Sequence, residues 1–393
     1  MSKSPGATFR NAWVAFHAPL LQRPIETFLR RRAGVFIVHS FSSWGWLGVR
    51  ARNRLSTAER RIVPIVSMYT TWEHEYGAKC RAPDHGVKDR TSVRLQRLWV
   101  MPSVRRLERQ SLQHSDLVLV NYDSVMRLIH ESGASPSRII KIPYTSEWSL
   151  LDGAAMPRRI PPPLKRLEPH LAPLIVSVSR HDPRKGLDIL LQALNRLRDR
   201  GVTFRACLVS HGALIDAHRR LAHKLKLDDS TAIPGYVPDP VTYLNAADLF
   251  VLPSLEEGSG SISLIEALQA GLAIVASNVD GIPEDVTDGD CALLVPPGDV
   301  GALSSALARL ITDEGLRRRL QRRAREVFVE KFSASVFTEA LRSLYNNLLE
   351  TPTSGPETGL TELTPGHLWR RTPDVAGATW CRRQDRATSA TSR

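Results

Sequence analysis

Cysteine is scarce in this chain. The four cysteines among 393 residues, Cys80, Cys207, Cys291 and Cys381, lie far apart and form no CxxC pair. That spacing excludes a cysteine metal site and a disulfide framework, and it favours a reducing compartment. Long apolar runs are missing as well. No stretch reaches transmembrane length, and the N-terminus lacks the apolar core of a signal peptide. A soluble or peripheral protein is expected, in the cytoplasm, with attachment to the inner face of the membrane left open. Acidic residues are in deficit: 53 Lys and Arg face 40 Asp and Glu, a formal net charge of +13. Such a balance calls for acidic partners, either phosphorylated ligands or an anionic membrane surface. Nucleic acid fits the charge, but there is no matching motif and no aromatic platform, so none is expected.

What is present is an alternation of short apolar runs with helical patterns. Val35 to His39, Ile62 to Met68, Asp116 to Asn121 and Arg138 to Ile142 read as buried strands, with a helix over Ser124 to Ser132. Residues 144 to 170 hold Pro157, Pro161, Pro162, Pro163 and Pro169, the composition of a linker. A second series follows. Its strands are Leu174 to Ser179, Phe204 to Ser210, Thr231 to Pro234, Leu249 to Leu252, Leu272 to Ala276 and Cys291 to Val295, with helices between and three helices after. Strands alternating with helices of this length form parallel βαβ units, hence an α/β fold of two doubly wound domains facing across a cleft. The expected division is an N-terminal domain over 1–150, a linker over 151–172, a C-terminal domain over 173–350 and a disordered tail over 351–393.

Val87 to His114 reads as a long basic helix kinked near Pro102. Between Arg90 and Arg109 it carries six arginines and one acid, Glu108. An ordinary amphipathic helix shows such a charged face to solvent. The same face would also suit an anionic membrane or a phosphorylated acceptor.

The densest stretch is Asp248 to Ala276: strand, glycine-serine loop, helix, glycine, strand. Gly258 and Gly260 let the backbone approach a ligand, and the following helix N-terminus suits an anion. Ser263 to Glu266 is also a capping box, in which Glu266 would merely tie back to the helix start. After the strand at Leu174 comes SRHDPRKG, where Arg180 and Lys185 flank a turn ahead of a helix. Two cations there would hold a diphosphate. LVSHGAL ends the next strand with Gly212, another close-approach loop.

The order R-x4-K-G, glycine loop, PG-x-V, AD-x-x-VLPS, EG-x-G and IEAL-x-AG resembles the C-terminal half of family-4 glycosyltransferases of the GT-B fold. The resemblance runs from about Leu174 to Tyr345. HSDLVLVNYDSVMRLI, RIIKIPY and VFIVHSF resemble the N-terminal half more loosely.

The resemblance implies a retaining, metal-independent transferase that moves a sugar from a nucleotide-diphosphate donor to a glycan, lipid or small-molecule hydroxyl. A catalytically inactive nucleotide-sugar-binding protein of the same fold is the alternative. It further implies that Arg180 and Lys185 hold the donor diphosphate and that Glu266 holds the ribose hydroxyls. Glu257 would face the transferred sugar, with Glu256 as rival, because Glu257 and Glu266 are nine positions apart where the family has eight. Gly212, Gly258, Gly260, Ser261 and Ile262 complete the donor side; His39 and His74 stand on the acceptor side. The family's first strand and glycine loop have no counterpart before Val35. The N-terminal sheet is therefore expected to lack strands, leaving an open edge and an uncovered apolar face.

Overall fold

The computed structural model describes residues 20, 22–71, 98, 101–142, 144–146 and 160–350. They form two parallel sheets. The first contains β1 (Gly34–Phe41), β2 (Arg60–Met68), β3 (Leu117–Val120) and β4 (Ile139–Lys141), in chain order across the sheet. Val66 stands opposite Val118, and Met68 opposite Val120. All four residues of β3 are buried, as expected of an unbroken LVLV run covered on both faces.

The second sheet contains β5 (Leu174–Val178), β6 (Arg205–Val209), β7 (Thr231–Gly235), β8 (Leu249–Leu252), β9 (Ala273–Ser277) and β10 (Ala292–Val295). Its order is β10-β9-β8-β5-β6-β7, all parallel. Side-chain alternation divides the core between two faces. Phe250 and Leu252 of β8 join one cluster, and Leu249 and Val251 join the other. The chain winds outward from β5 through β6 to β7, then returns to place β8 on the opposite side of β5. The crevice beyond the C-terminal ends of β5 and β8 is thus a topological switch point, where open α/β sheets bind ligands.

The N-terminal sheet is covered on both faces, against the expectation of an uncovered one. The chain comes back after the second domain. Its last helix, Ala334–Glu350, lays Ala340, Leu344 and Leu348 on Val63, Ile65, Leu117 and Leu119. On the other face Leu29, from a helix over residues 22–30, packs with Ala51, Leu55 and Ile62. The sequence reading assigned no element to Ser42 through Leu55. Gly45–Leu55 is a helix, and its Trp46, Leu47, Val49, Ala51 and Leu55 are buried.

Of the basic helix expected over Val87–His114, the described part is Met101–His114 with Leu98. Met101, Val104 and Leu112 face inward, whereas Arg105, Arg106 and Arg109 are exposed. The Pro-rich stretch packs from Pro162 onward: Leu164 and Leu167 are buried in the core of the second domain. Residues 1–19, the linker up to residue 159, Cys80 and the tail over 351–393 lie outside the described residues.

Candidate functional site

Two loops meet above the switch point. The turn after β5 and the loop after β8 are joined by backbone: Leu255 N–H and Glu256 N–H both donate to the Arg184 carbonyl, at 2.7 and 3.2 Å. Gly186, at φ +58°, ends the turn so close to β8 that a Cβ would lie 2.1 Å from the Pro253 carbonyl oxygen. Only glycine fits there. This docking carries the Lys185 ammonium to 2.6 Å from Glu257 Oε2, with the two side chains 14% and 4% exposed. Ser254 Oγ donates to the other Glu257 oxygen at 2.5 Å. Arg180, on the same turn, has a side chain 55% exposed and lies 3.7 Å from Asp182.

The structure therefore brings Lys185 and Glu257 together, with Arg180 on the same turn as Lys185. Glu257 is the acid turned inward; Glu256 is half-buried.

The glycine loop differs from its sequence reading in what holds it. Asp280 Oδ2 accepts from Glu257 N–H at 2.7 Å and from Gly258 N–H at 2.8 Å. A carboxylate of the chain itself sits in the small anion nest that these two amides make. Gly260 is explained by a neighbour too. A Cβ there would lie 1.9 Å from the Tyr122 hydroxyl, and at Gly281 it would lie 2.5 Å from the same ring. At Gly212 a Cβ would lie 2.4 Å from the His181 carbonyl oxygen, so this glycine lets the two loops of its own domain touch.

The next helix, Ile262–Gln269, starts after Ser261 in extended conformation. Ser263 is then its second residue and Glu266 its fifth, two positions too deep for the capping box that Ser263 to Glu266 spelled. Glu266 is half-buried on this helix. The first amides of the helix, at Ile262 and Ser263, have no acceptor one turn earlier and face the loop.

Tyr122 follows β3 and reaches across to the second domain. Its hydroxyl donates to Asp285 Oδ2 at 2.7 Å. Glu284 accepts from Asp123 N–H at 2.9 Å and from Lys141 Nζ at 2.6 Å. Burial pushes the Asp285 carboxyl up to about 8, against the lowering effect of the Tyr122 hydrogen bond. The Tyr122 phenol is itself held well above its usual range by burial and by Asp285. Ser146 Oγ adds a hydrogen bond to Gln269 at 2.9 Å. The sequence reading missed this junction and Asp280. Gly260 and Gly281 were its signal, since each marks a place where a ring from the other half must fit.

His39 closes β1. Its Nδ1 lies 2.6 Å from the Tyr345 hydroxyl and its Nε2 2.7 Å from Ser67 Oγ, so both ring nitrogens are engaged. Burial lowers its pKa, keeping the ring neutral. His74 lies outside the described residues.

On the turn after β5, buried His181 touches buried His218, their Nδ1 atoms 2.8 Å apart. Desolvation and then the His218 ring lower the His181 pKa to about 4.

Residues 165–327 match the family model described as glycosyl transferases group 1. The chain is 33% identical over 206 residues to WcaL of Escherichia coli, provisionally named as a colanic acid biosynthesis glycosyltransferase, covering 50% of each protein. To the D-inositol 3-phosphate glycosyltransferase of Kribbella flavida it is 29% identical over 379 residues, 88% of this chain and 82% of that protein. The chain spans about half the length of several curated relatives it matches, WcaL among them. Among solved structures, a glycosyltransferase from Rickettsia africae superposes with a TM-score of 0.63 at 20% identity, covering 90% of this chain and 84% of that one. The Anabaena protein HepE in complex with UDP gives 0.62 at 16% identity, covering 83% and 82%. The fold is GT-B.

Proposed function

From the premise that the chain carries a group 1 glycosyltransferase domain within a GT-B fold, we propose that it transfers a sugar from a nucleotide-diphosphate donor to an acceptor hydroxyl. The observation that carries this reading is the docked pair of loops at the switch point. An exposed Arg180 and the Lys185–Glu257 pair stand there ahead of the helix starting at Ile262. In this proposal the diphosphate lies against Arg180, Lys185 and the first helix amides. Glu266 takes the ribose hydroxyls, and Glu257 faces the transferred sugar while it fixes Lys185. The Anabaena neighbour was crystallised with UDP, which accords with a nucleotide-diphosphate donor.

Transfer breaks the bond between the anomeric carbon and the diphosphate oxygen, whose electron pair stays on the diphosphate. The acceptor oxygen bonds to the anomeric carbon on the same face, with retention, and its proton passes to the departing diphosphate. Negative charge grows on the leaving group as that bond lengthens. Arg180 and Lys185 are the cations aimed at it, and their contribution is largest in the transition state. The proposal assigns this role to the two side chains rather than to a metal. No helix among the described residues is long and apolar enough to cross a membrane; the proposed setting is the cytoplasmic side, where the basic surface can meet anionic lipid.

Release of nucleoside diphosphate from a panel of UDP-, GDP- and ADP-sugars, by hydrolysis or transfer, tests the reading. Lys185→Ala should lower kcat by about 10²–10³ and change the donor KM far less. An unchanged kcat with a raised KM would reduce Lys185 to a binding group. A second reading draws on Asp280, which already fills two of the loop amides: the chain would bind nucleotide without transferring. Binding with no release from any donor, in the presence of a lysate's glycans, would select it.

A further inference from the structure

The C-terminal ends of the N-terminal strands carry a ladder of rings. His39 and Phe41, at the end of β1, stack with centroids 5.6 Å apart. Phe41 stacks on Tyr69, just after β2, at 5.9 Å with planes 28° apart. Tyr69 meets Tyr144 edge-on at 6.0 Å, and Tyr144 meets Tyr122 at 5.8 Å. Tyr122 ends the ladder on Gly260 of the second domain. The inner rings are buried or half-buried, but Phe41 is 53% and Tyr69 45% exposed. Two stacked rings thus stand in solvent at the mouth of the crevice that a parallel sheet offers to ligands.

Polar groups beside them are incomplete. Thr70 Oγ1, both side-chain polar atoms of Asn121, and Ser124 Oγ are buried and bond nothing. Folded proteins rarely leave such groups unpaired without another partner for them. The pairing of Met68 with Val120 sets Tyr69 beside Asn121 in the next register position. Among the described residues, the cation at the end of β4, Lys141, is held by Glu284 and Asp123 at 2.6 and 3.1 Å.

We propose that Phe41 and Tyr69 form the acceptor platform, and that the acceptor presents a neutral sugar ring to it. A pyranose has a C–H face that packs on an aromatic plane and a rim of hydroxyls. The rings take the face. Thr70 and Asn121 bond the rim after the rotamer changes that are common on binding. A phosphorylated acceptor would need a free cation beside the rings, and a lipid would leave the unpaired amide of Asn121 against hydrocarbon. This inference rests on the transferase reading for its geometry: the ladder leads from the platform to the glycine loop, where the donor sugar would lie.

Saturation-transfer NMR on the full chain tests it, using methyl α-D-mannopyranoside, methyl β-D-galactopyranoside, maltose and myo-inositol 1-phosphate as probes. Binding of UDP, GDP and ADP is measured on the same samples. Transfer to the ring C–H protons of at least one neutral sugar is expected. Phe41→Ala and Tyr69→Ala should each weaken that sugar about tenfold, the scale of a lost aromatic contact. Phe41→Trp should retain it, and nucleotide affinity should move less than twofold in all three. Nucleotide binding without transfer to any neutral sugar overturns the platform and leaves the donor reading standing. So does equal transfer in both alanine variants, or a stronger signal from myo-inositol 1-phosphate. Sugar binding at the platform with no nucleotide bound overturns the donor reading instead.

Discussion

The two halves treat their polar groups differently. Around the turn after β5 the charged groups are paired within the chain: Lys185 pairs with Glu257, Ser254 bonds the same carboxylate, and Asp280 takes two loop amides, while the neutral His181 Nε2 and Ser177 Oγ stay buried without a partner. At the ends of β2 and β3 the groups are uncharged, and those of Thr70, Asn121 and Ser124 are left without partners. A diphosphate is small and common to many donors, so cations held in place by their own counter-charges can meet it without rearrangement. An acceptor surface is completed by the acceptor. Under the proposed function, preorganised charge belongs to the donor half and adaptable neutral groups to the acceptor half, with the Tyr122–Asp285 contact joining them.

The largest predicted effect comes from undoing the donor side's self-completion. Gly186→Ala forces a Cβ toward the Pro253 carbonyl at a positive φ, and should cost about 3–5 kcal/mol in denaturant unfolding. A loss below about 1 kcal/mol would mean that the turn is not locked. Lys185→Ala leaves a nearly buried Glu257 without its cation and should cost about 3 kcal/mol. Adding Glu257→Gln should recover most of that loss. Absence of recovery would show that the pair does not act as a unit.

The junction and the donor side should respond to pH with opposite signs. Burial keeps Asp285 protonated in the folded protein where the unfolded chain has released its proton. Its stabilising contribution is complete below the ordinary value of 3.8 and is lost as pH rises toward about 8. Asp285→Asn keeps an acceptor for Tyr122 and should flatten that slope in thermal midpoints. His181 is the reverse: the unfolded chain binds its proton first, so stability is lost as pH falls from 6.5 toward about 4. An unchanged pH profile in Asp285→Asn would contradict the buried neutral carboxyl. The smallest effect sharpens the contrast from the acceptor side. Ser124→Ala removes a hydroxyl that bonds nothing, and should change stability by no more than about 0.5 kcal/mol.

Much of this was legible in the chain, and unevenly so. The strands of the second domain are unbroken apolar runs bounded by glycine, proline or polar residues, and LFVL at Leu249–Leu252 lies where its pattern put it. Lys185 and Glu257 come together because the loops that follow β5 and β8, neighbouring strands, open on the same crevice. The Gly45–Leu55 helix was not legible, because glycines and arginines interrupt its apolar period. The cover for one face of the N-terminal sheet comes from Ala340, Leu344 and Leu348, far downstream of that sheet's last strand, Ile139–Lys141, and no local pattern announces so distant a partner. The purpose of Gly260 was also hidden. A glycine that admits a ligand and one that admits Tyr122 look the same in sequence. Phe41, Tyr69 and Tyr144 become a ladder only when three strand ends align.

The claim on which the rest depends is that the second domain binds a nucleoside diphosphate through Arg180, Lys185 and Glu266. Calorimetry of the full chain with UDP, GDP and ADP, repeated with Arg180→Ala and Glu266→Ala, tests it most directly. The account predicts micromolar binding of at least one nucleotide. Arg180→Ala should weaken the diphosphate at least tenfold while sparing the nucleoside, and Glu266→Ala should weaken both. No binding of any of the three up to millimolar concentration, or equal affinity in all three proteins, would contradict it.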